Sequence, residues 1–364
     1  MFRLLDRQNN KTIYEEMQES GISRRDFLKV CATIAAFLGL DYSQSEQVVH
    51  AMEQNTKVPF IWLHYQDCTG CSESFIRSSH PTAGDLLLDY VSLNYHENLT
   101  AAAGEATERA KKETMEKFKG KYILAVEGSI PRDDFFIAGG KTAAEQVREA
   151  AENAGAILAI GSCATHGGIA AAHPNPTGAM RLKDVLPGKT IVQIPGCPPI
   201  AEVMAGVLVH YITFGTLPEL DHKGRPKAFY SQRIHDTCNR RAYFDAGLFV
   251  ENFDDESAKK GYCLYKVGCK GPTTYNSCAQ LRWNGGVSFP IASGNPCIGC
   301  SEENFWDKGP FFTKSVAQIP GFHEPLNPDK VGAIAVGATA AGVAVHAAIT
   351  AVKEKKGSNN KDES

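Results

Sequence analysis

Eleven cysteines, several of them in close pairs, constrain this 364-residue chain more than any other feature. Cys68 and Cys71 form one C-x-x-C pair, Cys297 and Cys300 another, and Cys263 lies close to Cys269. An odd count in a chain of this length is no disulfide framework, because disulfide-dense scaffolds are small. Such spacing in a large protein marks metal ligation instead. Hydrophobic residues make up 43% of the chain and charged residues 22%, which describes an ordinary globular interior. A net charge of −3, with no long basic run, gives no ground for nucleic-acid binding.

The two ends read as addresses. Residues 23–29 are Ser-Arg-Arg-Asp-Phe-Leu-Lys, and an apolar stretch runs from Val30 to Leu40. That stretch is too short for a helix that crosses a bilayer, which takes about 20 residues. Paired arginines before a short apolar core predict a twin-arginine export signal over residues 1–51, cut after Ala51; the alternative is an exposed amphipathic helix. Residues 331–352 carry no charge, and Lys353, Lys355 and Lys356 follow. They predict a transmembrane anchor, with a tail over 353–364 that the lysines place in the cytoplasm. The alternative there is a buried soluble helix. His346 inside this segment is a candidate for facing a membrane partner.

Between the ends, short apolar runs alternate with helical patterns. Residues 58–63, 122–126, 156–160 and 190–194 read as strands; residues 101–119, 141–153 and 199–214 read as helices. Alternation of this kind predicts a parallel α/β sheet over 52–221. Ligands bind such sheets at the carboxyl ends of the strands. Cys68, Cys71, Cys163 and Cys197 each follow the end of a predicted strand, so sequence-distant loops can gather four thiolates. From 222 to 328 the alternation fades into a Gly-, Pro- and Cys-rich stretch, expected to fold around metal sites. It offers His235, Cys238, Cys263 and Cys269 as a second set, and Cys278, Cys297 and Cys300 as a third. Removal of the leader takes Cys31, and no mature cysteine is then left over. Thiolates suit iron–sulfur clusters and zinc alike. A closed zinc site wants four ligands, which the third set lacks. Ligand counting favours iron–sulfur and leaves zinc and disulfides open.

The motifs narrow this further. Asp67-Cys68-Thr-Gly-Cys71-Ser-Glu-Ser, Glu127-Gly-Ser-Ile-Pro131, Gly161-Ser-Cys163-Ala-Thr, Ile194-Pro-Gly-Cys197-Pro-Pro, Cys263-Leu-Tyr-x3-Cys269-Lys-Gly-Pro and Asn295-Pro-Cys297-Ile-Gly-Cys300-Ser-Glu resemble the motif set of nickel–iron hydrogenase small subunits, over about residues 58–310. The two end signals resemble the membrane-bound branch.

The resemblance implies a flavodoxin-like N-terminal domain. It implies that Cys68, Cys71, Cys163 and Cys197 hold a proximal 4Fe–4S cluster. His235, Cys238, Cys263 and Cys269 would hold a distal 4Fe–4S cluster, and Cys278, Cys297 and Cys300 a medial 3Fe–4S cluster. No catalytic residue is expected in this chain, since the nickel–iron centre would lie in a separate large subunit. The implied partners are that subunit, in a heterodimer or a dimer of heterodimers, a membrane cytochrome b and, through it, the quinone pool. The implied location is the periplasmic side of the cytoplasmic membrane. Gly70 and Gly168 stand where oxygen-tolerant members carry extra cysteines, and Pro290 stands where a fourth medial ligand would otherwise reach.

Two rivals remain. One is the related cluster-bearing subunit of respiratory complex I, which lacks the downstream cysteines and both end signals. The other is a zinc-stapled exported binding protein. His64, His80, His166, His173, His210 and His323 are expected to be structural histidines. Glu127 is expected to make an ordinary structural hydrogen bond; the alternatives are orienting the cluster surroundings or relaying protons. Phe305 and Trp306 are expected in the core or at a partner interface.

Overall fold

The structure, a computed structural model, describes residues 11–54, 56–79, 81–307 and 328–359. His80 and His323 lie outside the described residues. The chain forms two units, one ending at Thr313 and one starting at Lys314.

The first unit opens with three helices, α1 (Ile13–Glu19), α2 (Arg24–Phe37) and α3 (Tyr42–Gln54). Each of the first two has a sequence reason to start where it does. Thr12 and Glu15 form a reciprocal capping box on α1, and the Ser23 hydroxyl caps α2 at Asp26 N. The paired arginines thus begin a folded helix, and Cys31, Ile34 and Ala35 of the apolar stretch are buried.

A five-stranded parallel sheet follows. Its strands are β1 (Val58–His64), β2 (Val91–His96), β3 (Ile123–Glu127), β4 (Ala156–Ile160) and β5 (Val192–Ile194), in the order β2-β1-β3-β4-β5. This is the doubly wound, flavodoxin-type order, whose topological switch lies between β1 and β3. Every residue of β3 and β4 is buried, as expected for central strands covered on both faces. The sequence pattern marks four of the five strands and passes over β2. That edge strand is half-buried through Ser92, Leu93 and Asn94, so it carries little apolar signal.

The connecting helices are α4 (Gly70–Phe75), α5 (Glu105–Lys117), α6 (Ala143–Glu152), α7 (Gly161–His166) and α8 (Ala201–Phe214). Alternate residues of the strands feed two cores, as the period of two requires. Ile61, Leu63, Leu124, Val126 and Ile157 face α6 through Ala143, Val147 and Ala150. On the other side, Phe60, Trp62, Ala125 and Leu158 share a core with Met204, Leu208 and Ile212 of α8 and with residues of α1 to α3. Nearly all of α8 is apolar, and it is buried on most sides; Gly215, at φ +66°, ends it.

Past residue 222, among the described residues up to 307, there is no strand and no helix longer than five residues. The second unit consists, as far as described, of one helix, α9 (Pro328–Asn359). It continues past the expected 352, so residues 353–359 are helical, while 360–364 lie outside the described residues. Residues 332–350 are exposed and apolar enough to cross a membrane.

Candidate metal centres

The carboxyl ends of the strands carry the first cysteine set. Cys68 follows β1 in a loop, Cys71 sits in α4, Cys163 sits in α7 directly after β4, and Cys197 follows β5. Burial raises the Cys71 thiol well above its usual range, and the nearby Glu127, Cys163, Cys197 and Cys68 add to the rise. Burial and Cys68 push Cys163 to about 11, and burial with Cys300, Cys163 and Cys68 pushes Cys197 to about 12. The thiols of Cys71, Cys163 and Cys197 therefore sit near one another and near Cys68, in surroundings that oppose the ionisation of these three unless a cation replaces the protons.

Glycines leave room for the sulfurs. A Cβ on Gly161, whose φ is +83°, would stand 2.4 Å from Cys71 Sγ. One on Gly168 would stand 2.4 Å from Cys163 Sγ, and one on Gly70 3.0 Å from Cys68 Sγ.

Glu127 ends β3 beneath this set and is 1% exposed. It accepts from Cys71 N at 3.0 Å, Ser72 N at 3.1 Å, Ser72 Oγ at 2.7 Å and Trp62 Nε1 at 3.2 Å. These four donors pin the Cys68–Cys71 loop to the switch point. Burial raises the carboxyl, and the bonds from Ser72 and Cys71 oppose that rise. Behind it, His64 Nδ1 meets Asp67 Oδ2 at 2.6 Å, and Ser72 Oγ meets His96 Nε2 at 3.1 Å. Burial pulls His64 down, but Asp67 and Glu127 outweigh it and leave it above its usual value. Burial and the neighbouring His64 bring His96 down to about 4. Sequence reasoning misses His96 and Ser72 here: His96 ends the unrecognised strand β2, and nothing local to either residue signals the contact.

His235, Cys238, Cys263 and Cys269 line one enclosed hollow, together with Arg240, Arg241 and Ile291. Burial and Arg241 lower the His235 imidazole, so it is neutral near pH 7 and keeps a lone pair for a metal. Its ring stands edge-on to Phe244 at 4.5 Å. Arg240 N donates to Cys238 Sγ at 3.4 Å.

Cys278, Cys297 and Cys300 form the third group. Burial raises Cys278 well above its usual range, helped by Cys300 and Cys297, and raises Cys297 to about 12, helped by Cys300 and Cys269. Gly299 N donates to Cys297 Sγ at 3.4 Å. The group lies between the other two. The Ser162 hydroxyl, next to Cys163, donates to Cys300 O, and Lys270 N, next to Cys269, donates to Cys297 O at 2.8 Å. Ser162 is a bridging residue that its neighbouring cysteine alone could have flagged. Cys31 belongs to no set and is buried in α2.

Three of the remaining histidines make the following contacts, His173 through its backbone amide alone, while His166 Nδ1 is buried without a partner among the described residues. His166 Nε2 reaches Ser301 O at 3.3 Å, His173 N donates to Asp307, and His210 packs on Phe214. Phe305 is a core residue, with the Trp306 ring packed on it at 4.6 Å.

Donor set and surroundings fit iron–sulfur clusters: thiols held in three groups, backbone amides aimed at sulfur, one neutral imidazole, and cradles without side chains. The family described as the C-terminal part of the "NiFe/NiFeSe hydrogenase small subunit" matches residues 230–313, and "NADH ubiquinone oxidoreductase, 20 Kd subunit" matches residues 68–211. The uptake hydrogenase small subunit of Azotobacter vinelandii is 55% identical over 346 residues, covering 94% of this chain and 96% of that protein. The hydrogenase-1 small chain of Escherichia coli is 47% identical over 354 residues, covering 96% and 95%. The Ni-Fe-Se hydrogenase structure from Desulfomicrobium baculatum superposes with a TM-score of 0.67 at 37% identity, over 71% of this chain and all of that one. The likeness to the NADH ubiquinone oxidoreductase family is confined to the sheet domain, while the hydrogenase likeness continues through the later cysteines. The chain belongs to the small subunits of nickel–iron hydrogenases, the iron–sulfur electron-transfer partners of a large subunit that holds the catalytic centre.

Proposed function

We propose that this chain is the electron conduit of a membrane-bound, periplasmic uptake hydrogenase, with two 4Fe–4S clusters and one 3Fe–4S cluster. The single observation that carries this reading is that the third donor set adjoins both of the others. Cys68, Cys71, Cys163 and Cys197 adjoin Cys278, Cys297 and Cys300, and these adjoin His235, Cys238, Cys263 and Cys269. When bound, such clusters accept and pass on single electrons. The residues of the chain hold donors at fixed places, aim amides at sulfur and keep water from the buried thiols. In this reading the first set is proximal to the large subunit. The third is medial, and the second is distal, where electrons leave for a membrane cytochrome b and the quinone pool.

Iron content tests this reading. Sets of four, four and three donors predict about 11 iron atoms per mature chain. A measured content near 8 or 12 removes one cluster or the three-iron assignment, and a colourless zinc protein removes the whole reading.

Pro290 accepts at its carbonyl from Asn295 N at 2.8 Å, between the buried Phe289 and Ile291. It offers no thiolate. Pro290→Cys is expected to raise the iron content to about 12, remove the paramagnetic signal of the oxidised three-iron cluster and lower its potential. Persistence of that signal shows that position 290 is not the missing fourth corner.

Gly70 and Gly168 likewise offer no sulfur beside Cys68 and Cys163. Four thiolates are then the whole proximal donor set, and the enzyme is expected to lose activity in air and recover slowly on reduction. Sustained hydrogen oxidation through oxygen pulses at an electrode contradicts this.

A further inference from the structure

In the unprocessed chain the N-terminal segment is no loose leader. Met17, Phe27, Ile34, Val48 and Met52 are each at most 2% exposed, in the same core as Phe60, Tyr90, Met204 and Leu208. α3 lies on α8, and α1 lies on the turn Leu86–Tyr90. The export motif is folded with them. Arg24 pairs with Glu53 at 3.1 Å and donates to the Tyr14 hydroxyl at 3.2 Å, while the Phe27 ring packs on Tyr14 at 4.5 Å.

The expected scissile bond, Ala51–Met52, lies inside α3, and Met52 is 1% exposed. Proteolysis needs exposed, yielding backbone. So the segment must lift before it can be cut. Lifting bares an apolar face of α8 and of Leu86–Tyr90, and bare apolar patches of that kind mark interaction sites. Under this cover the Tyr90 hydroxyl is buried without a hydrogen-bond partner among the described residues. A buried hydroxyl left unpaired is costly, which suits a temporary cover better than a permanent one.

We propose that α1 to α3 are a placeholder for the large subunit. That subunit takes the face of α8 and Leu86–Tyr90 once the segment lifts, and it supplies an acceptor to the Tyr90 hydroxyl. The proposal rests on reading residues 1–51 as a removed leader. The large subunit is the occupant because members of this family work paired with one.

A photo-crosslinking residue at Leu87, half-buried beside the segment, tests this in the assembled enzyme. In the unprocessed chain it is expected to link to residues 11–54, and in the mature complex to the large subunit. A mature complex that gives no link to the large subunit, or a link between two small subunits, overturns the proposal. The mass of the small subunit in that same complex separates the two readings. A full-length chain in the active complex defeats the leader reading. A chain starting near Met52 without the crosslink defeats only the placeholder.

A second measurement uses Phe27→Glu with Ile34→Glu in the full-length chain, changes confined to the segment. The freed face is expected to bind the purified large subunit roughly ten-fold more tightly than the unchanged precursor, because the competent state is no longer a minor one. Equal affinity, with iron content unchanged, overturns the proposal.

Discussion

Gly161→Ala is expected to leave a folded chain without its first cluster. Gly161 begins α7 directly after β4, at φ +83°, where an alanine costs about 1–2 kcal/mol through its backbone alone. That cost is tolerable. The steric one is not, since the new methyl would stand 2.4 Å from Cys71 Sγ, a distance no side chain tolerates. The Cys71 backbone cannot yield, since its amide is tied to Glu127 at 3.0 Å and the next residue to the same carboxylate, so the sulfur can escape only by turning away from the other thiols. Iron should fall by about 4 atoms of about 11. Hydrogen-dependent dye reduction should drop by about 100-fold, a loss of the size seen when a metal site loses its supporting groups. Gly188→Ala is the control. It shares a positive φ, +81°, but a Cβ there meets nothing within 4 Å, so it should lower stability slightly and leave iron content intact. A Gly161→Ala enzyme with full iron and full activity would show that the four sulfurs do not gather as the structure places them.

Removing residues 331–364 is expected to move the enzyme from the membrane to the soluble fraction almost completely. Gly332–Thr350 is a 19-residue apolar stretch, about 28 Å long as a helix, close to the roughly 30 Å hydrocarbon core it would cross. Its exposed residues include Ile334, Val336, Val343, Val345 and Ile349. Activity with soluble dyes should persist, since all three donor sets lie before residue 301. On the proposed reading, reduction of quinone should cease, because the exit to a membrane acceptor would be lost. His346 is the residue to change next: if it serves that exit, His346→Ala in the anchored enzyme slows quinone reduction and spares dye reduction. A truncated enzyme that still sediments with membranes would give the anchoring role to another part of the assembly.

Particular residues show why some of this was legible in the sequence. The candidate donors were readable because a thiolate ligand demands cysteine, with His235 the one imidazole among them. The sheet was readable because its central strands, such as Ile123–Glu127 and Ala156–Ile160, are buried on both faces and become short apolar runs. The strand Val91–His96 escaped because an edge position half-exposes it, so selection for burial leaves little trace. Glu127 was visible as a residue after a strand, but its role was not. Four donors converge on it from Trp62, Cys71 and Ser72, and that convergence exists only when β1, β3 and α4 are brought together.

The N-terminus makes the same point more sharply. Its motif and its short apolar core are local features, so the sequence alone could suggest an address. That α1 to α3 bury against α8 and Tyr90 depends on which apolar face the folded body leaves open. The sequence by itself determined the candidate ligands, the family and the parallel α/β class, because these are written in residue type, motif and spacing. Only the tertiary structure decided that the third cysteine group adjoins the other two and that α1 to α3 lie on the body. Both follow from packing between segments far apart in the chain, and no local pattern encodes that.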